Sequence, residues 1–120
     1  MKIAFVVDPL DAFKIYKDTT FAIMREAAAR GHRLFAMEQE DLALRRGTVY
    51  GSASRLHLTG KKPRWYRREK AAAMPLMDFD AVLMRKDPPF DMEYVYSTYL
   101  LELAEAQGAR VFNRPRAIRD

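Results

Sequence analysis

Two stretches of this chain follow one plan. Ala28-Ala29-Arg30-Gly31-His32-Arg33-Leu34-Phe35 and Ala106-Gln107-Gly108-Ala109-Arg110-Val111-Phe112 each run from a helix end through a glycine into a strand. A glycine in that position supplies the left-handed residue on which α-helices often end. Strand, helix and strand in succession form the βαβ unit, which requires a parallel sheet with crossover helices. The preceding strands are present as well: residues 2–7 form a continuous run of the kind buried on both faces, and Ala81 to Met84 form another.

The first helix is expected from Asp18 or Thr19 to Arg30, with Asp18, Thr19 and Thr20 as candidate N-caps and Phe21, Met24 and Ala28 on the inner stripe. The second is capped by Asp91 and runs to about Gln107, with Met92, Val95, Tyr96, Tyr99, Leu100 and Leu103 at core-facing spacing. Strands are expected at residues 33–37 and 110–113. Between the two units the pattern changes: residues 48–54 and 55–59 are short β-prone stretches punctuated by Gly47, Gly51 and Gly60, and read as a hairpin or small antiparallel excursion. The expected fold is α/β: a Rossmann-like parallel sheet flanked by helices, with a β-hairpin excursion in the middle.

A chain of 120 residues is one domain by size. No cysteine is present, which excludes thiolate metal sites, disulfides and cysteine nucleophiles. The apolar amino-terminal run is too short for a signal peptide or a membrane span, so a soluble, cytoplasmic protein without membrane contact is expected. Much of the net charge of +5 lies in Lys61, Lys62, Arg64, Arg67, Arg68 and Lys70, interleaved with Trp65 and Tyr66. Such a cluster fits a nucleic-acid-binding module, a small anionic ligand or an acidic patch on a neighbouring subunit. No nucleic-acid motif surrounds it, so a solvated, mobile loop beside the hairpin, with no nucleic acid bound, is the preferred reading. His32 and His57 stand apart and read as surface or structural residues.

A parallel sheet gathers its strand ends on one edge, where α/β folds bind ligands. Here that edge would collect Asp8, Glu38, Arg85, Lys86 and Asp87, with Asn113 and Arg114 after the last strand. Pro88 and Pro89 fix the backbone after Asp87. The helix start at Asp18-Thr19-Thr20 lies near the same edge and offers free N–H groups to an anion. Cations, carboxylates and a helix terminus together suit a zwitterionic ligand such as an amino acid or small peptide. Pairing of Arg85 with Asp87, and capping by Asp8, are the plainer alternatives. No dinucleotide fingerprint and no Walker-type loop is present.

Several of these segments also carry a family resemblance. Phe5-Val6-Val7-Asp8-Pro9, Lys17-Asp18-Thr19-Thr20-Phe21-Ala22, Met37-Glu38 with Asp41-Leu42, and above all Ala81-Val82-Leu83-Met84-Arg85-Lys86-Asp87-Pro88-Pro89-Phe90-Asp91 are similar to the amino-terminal domain of prokaryotic glutathione synthetases. Tyr96-Ser97-Thr98-Tyr99, Asn113-Arg114-Pro115 and Ile118-Arg119-Asp120 extend the likeness, while residues 55–77 match least. The resemblance implies that residues 1–120 are the substrate-binding, pre-ATP-grasp domain of an ATP-grasp ligase. Such ligases join γ-glutamylcysteine to glycine through an acyl phosphate, and ATP and Mg2+ bind in an ATP-grasp domain absent from this chain. It implies a homotetrameric full enzyme, an inactive isolated domain and no cofactor bound here; an oligomerisation domain of the same ligase is the alternative. Asp8, Asp18, Thr19, Thr20, Arg85, Lys86 and Asp87 are the expected substrate contacts. No catalytic residue and no metal ligand is expected. The short segment after Pro115 reads as a helix of one turn, cut at a domain boundary.

Overall fold

The computed structural model describes residues 1–14, 19–60, 64–86 and 92–112. Its strands are β1 (Lys2–Val6), β2 (Arg33–Met37), β3 (Leu42–Arg45), β4 (Thr48–Leu58), β5 (Tyr66–Arg68), β6 (Ala72–Pro75), β7 (Ala81–Met84) and β8 (Val111–Phe112), and its helices are α1 (Thr19–Ala29) and α2 (Met92–Ala106). The expected parallel unit is present. β1 lies between β2 and β7, and β7 pairs with β8, all parallel, with Phe5 opposite Ala36 on one side and Leu83 on the other. Each helix ends as its glycine requires. Gly31 and Gly108 have φ of 84° and 106°. His32 N–H donates to the Ala27 carbonyl, and Ala109 N–H to that of Ala104, both in the six-residue closure of a Schellman motif.

The excursion expected in the middle of the chain is antiparallel, and it joins the main sheet instead of standing beside it as a separate hairpin. Residues 48–58 form one strand rather than two, and β4 pairs antiparallel with β2, β3, β5 and β6. The sheet is therefore mixed, in the order β3-β4-β2-β1-β7-β8, with β5 and β6 also attached to β4. The sequence reads as two pieces because the buried side changes within the strand. Val49 and Ala53 face the layer under α2, whereas Leu56 faces the layer under α1. A strand shows period-2 alternation only while one face stays buried.

Those two layers make the core. Ala4, Val6, Met37, Val82 and Met84 pack toward α2, and Phe5, Leu34, Ala36 and Leu56 toward α1 and Met24. The β3–β4 turn is Arg46-Gly47, both at positive φ (48° and 81°), which matches the twist of a two-residue hairpin. Gln107 ties it to the end of α2 by donating to the Gly47 carbonyl and accepting from Val49 N–H at 3.1 Å.

Both helices are turned relative to their apolar stripes. In α1 the buried residues are Thr20, Met24 and Ala27, with Phe21 and Ala28 only half-buried. In α2, Tyr94, Ser97, Thr98, Leu100, Leu101 and Ala104 are buried, while Met92, Tyr96, Tyr99 and Leu103 are exposed. Small polar residues serve inside because their hydroxyls are satisfied within the helix. Ser97 Oγ donates to the Tyr94 carbonyl at 2.7 Å and Thr98 Oγ1 to that of Val95 at 2.6 Å. None of the described helices is long and apolar enough to cross a membrane.

The basic cluster is likewise not simply a solvated loop. Trp65 and Tyr66 are buried in the α1 layer, and Tyr66 to Arg68 pair with β4. Arg64, Arg67, Arg68 and Lys70 are exposed, whereas Lys61 and Lys62 lie outside the described residues.

Candidate ligand-binding edge

The carboxyl ends of β1, β2 and β7 are held level by backbone bonds that continue past the strands. Val7 N–H donates to the Met37 carbonyl at 2.9 Å and Arg85 N–H to the Val6 carbonyl at 2.8 Å. Arg85 follows Leu83 in the strand alternation and so points toward the α1 layer. There its Nε donates to Thr20 Oγ1, in the first turn of α1, at 3.1 Å. One residue on, Lys86 Nζ donates to Asp8 Oδ1 at 2.9 Å across the tips of β7 and β1. Both groups of that ion pair are largely shielded, which strengthens it relative to a surface pair.

Four of the seven expected contacts are thus brought together as two cross-links, Arg85–Thr20 and Lys86–Asp8. Thr19 is exposed and lines an open apolar groove of about 410 Å³ that runs along α1 past Ile23, Glu26 and Arg30 to His32. Asp18 and Asp87 lie outside the described residues, as do Asn113 and Arg114. Among the described residues, Nε is the only atom of the Arg85 guanidinium with a hydrogen-bond partner. The two terminal nitrogens are the donors that a guanidinium presents side by side to a carboxylate.

Glu38 closes the edge at the tip of β2. Burial raises the pKa of its carboxyl, the neighbouring Glu40 and Asp41 raise it further, and Arg68 opposes them. Its backbone N–H donates to Asp41 Oδ2 at 2.8 Å in a reciprocal capping box that starts the 3₁₀ turn Gln39–Asp41. Arg68 in turn donates to the buried Ser54 Oγ at 3.1 Å.

Sequence reasoning gave Asp11 and Tyr66 no role at this edge. Tyr66 OH donates to Asp11 Oδ1 at 2.6 Å, and burial followed by that bond raises the pKa of the phenol. Asp11 lies in the 3₁₀ turn Leu10–Ala12 between β1 and α1. The Trp-Tyr pair was a visible signal, but its meaning depended on a strand pairing with no local signature. The histidines contact protein groups: His57 Nε2 lies 2.5 Å from Glu69 Oε2, and His32 Nδ1 lies 3.3 Å from the terminal amine of Met1.

The described residues do not fit a nucleotide–magnesium group. No three acidic or imidazole side chains among them converge on a cation position. Three of the four glycines at positive φ end helices or turn a hairpin. The edge instead sets cationic and anionic side chains, Arg85, Lys86 and Asp8, beside the first turn of α1.

The whole chain has close relatives. Residues 1–119 match the family model described as prokaryotic glutathione synthetase, N-terminal domain. Over its full length the chain is 62% identical to the glutathione synthetase of Ralstonia nicotianae, covering 37% of that protein. It is also 57% identical to that of Nitrosomonas europaea, covering 38%, and 48% identical to that of Neisseria meningitidis serogroup A, covering 39%. It thus spans a little over a third of the curated relatives it matches. The paired strand tips at Asp8–Lys86 and Thr20–Arg85 belong to the segments that carried the resemblance, and with a match from end to end the chain belongs to the prokaryotic glutathione synthetase N-terminal domain family.

Proposed function

We propose that this chain is the peptide-binding part of a glutathione synthase, a cytoplasmic ATP-grasp ligase that joins γ-glutamylcysteine to glycine with hydrolysis of ATP to ADP and phosphate. Arg85 carries the reading. It stands half-buried at a strand tip, oriented by Thr20, and its two terminal nitrogens have no partner among the described residues. A substrate carboxylate suits that fork, and the shielded setting strengthens the contact. In this reading Lys86 adds positive charge for a second carboxylate, Asp8 and Asp87 serve the substrate ammonium, and Asp18, Thr19 and Thr20 frame the pocket. ATP and Mg2+ bind in a separate ATP-grasp domain, so the residues described here bind and orient the peptide and do not catalyse.

Arg85→Ala in the full-length enzyme is expected to raise KM for γ-glutamylcysteine by about tenfold to a hundredfold, with KM for ATP unchanged. Steady-state kinetics with each substrate varied in turn provides the measurement. An unaltered dependence on γ-glutamylcysteine would remove the assignment.

A second role, in subunit contacts of a homotetramer, is favoured by the outward stripe of α2, where Met92 is 81% and Tyr96 61% exposed. Soluble monomers seldom leave contiguous apolar surface of this kind uncovered. The double substitution Met92→Lys and Tyr96→Lys is expected to lower the assembly state in sedimentation. An unchanged sedimentation coefficient would place the contact elsewhere.

A further inference from the structure

We infer that Trp65 and Tyr66 are positioning residues that index the connection between β1 and α1, and with it Asp8 and Thr20, to the sheet that carries Arg85 and Lys86. The inference rests on the reading of that edge as the peptide site. Trp65 is 8% exposed and touches both ends of the connection. It stacks on Phe13 with ring centroids 5.4 Å apart and an interplanar angle of 27°, and meets Phe21 edge-on at 5.1 Å and 86°. Phe13 follows the 3₁₀ turn after β1, and Phe21 sits beside Thr20 in α1. One indole therefore pins the chain on both sides of residues 15–18.

Tyr66 adds a directional contact. Its ring packs on Trp65 at 4.9 Å and its hydroxyl donates to Asp11 at 2.6 Å. A phenylalanine would fill the same volume, so the hydroxyl fixes the position of Asp11 rather than simply occupying space. The other end of this brace is anchored in the sheet. Leu58 is opposite Tyr66 and Leu56 opposite Arg68, and Leu56 is also opposite Leu34 of β2. Thr59 closes the hairpin, with its N–H donating to the Trp65 carbonyl at 3.0 Å and its Oγ1 to that of Arg64 at 2.8 Å.

The contacts form a closed circuit. It runs from β2 through β4 and β5 to the β1–α1 connection, then through Thr20 to Arg85 and back into the sheet. Breaking one member lets the Thr20 side of the site shift against Arg85. A shift of about 1 Å is enough to cost a large factor in a step that depends on orientation.

The test is steady-state kinetics of the full-length enzyme carrying Trp65→Ala, Trp65→Phe or Tyr66→Phe, with Arg85→Ala assayed beside them. Trp65→Ala is expected to raise KM for γ-glutamylcysteine by about tenfold, and Trp65→Phe to recover most of that loss. Tyr66→Phe, which keeps the ring and removes only the hydrogen bond, is expected to raise it about threefold to tenfold. KM for ATP should stay within about twofold of wild type in all of them.

The role is overturned if Tyr66→Phe and Trp65→Ala leave the peptide KM at its wild-type value while Arg85→Ala raises it. It is also overturned if the variants change every KM together in step with a lowered melting temperature. Silence of Arg85→Ala in the same assay would identify the peptide-site reading as the failed step and overturn both. Should Trp65→Ala fail to fold, Tyr66→Phe decides alone.

Discussion

Phe5→Ala is expected to lower the free energy of unfolding by about 3–5 kcal/mol. Phe5 lies in the central strand between β2 and β7, is wholly buried, and packs in the α1 layer with Met24, Leu34 and Leu56. Removing its ring leaves a void that hydrogen-bonded strands on both sides prevent from collapsing. Domains of this size are typically stable by only about 5–15 kcal/mol, so the loss is a large share of the total. Urea unfolding followed by far-UV circular dichroism measures it. A loss below about 1 kcal/mol would mean that the layer repacks freely, contrary to the cavity argument.

Gly51→Val is expected to destabilise by about 2–3 kcal/mol although valine is a strong strand former. Gly51 is extended and needs no special backbone conformation; what it lacks is room. A Cβ there would lie 2.5 Å from Met37 Sδ and 3.1 Å from Leu76 Cδ2. The Met37 side chain is flexible, but at 1% exposure it has nowhere to retreat. The loss should shrink when Met37 is shortened in the same protein. A double-mutant cycle of Gly51→Ala with Met37→Val, read by denaturant midpoints, should therefore show favourable coupling. Additive losses would place the strain elsewhere.

The parallel unit was legible in the sequence because its signals are local. Apolar runs, helix-ending glycines and the charged tip after Met84 each sit within a few residues of the structure they cause. The orientation of α2 was not legible. Met92, Tyr96, Tyr99 and Leu103 follow core-like spacing, yet the helix turns Ser97 and Thr98 inward and covers Val82 and Met84 with another face. Periodicity reveals that a helix has a stripe without saying which neighbour will cover it.

The same limit applied to Trp65 and Tyr66. Their burial follows from a pairing with Leu58 that no local pattern announces, so flanking arginines made a core segment look like a solvated one. At the edge itself, Arg85, Lys86, Asp8 and Thr20 were identifiable from charge at strand ends and a helix start. Which would join which depended on strand order, and the Asp11–Tyr66 contact spans 55 residues of sequence.

β4 bears on how the length of such chains can vary. It is in register with four other strands, so one inserted residue anywhere in Thr48–Leu58 would carry side chains from one layer to the other and break several ladders at once. Changes of length are therefore expected in the connections between strands, leaving β4 as the fixed ruler against which both halves of the sheet are measured.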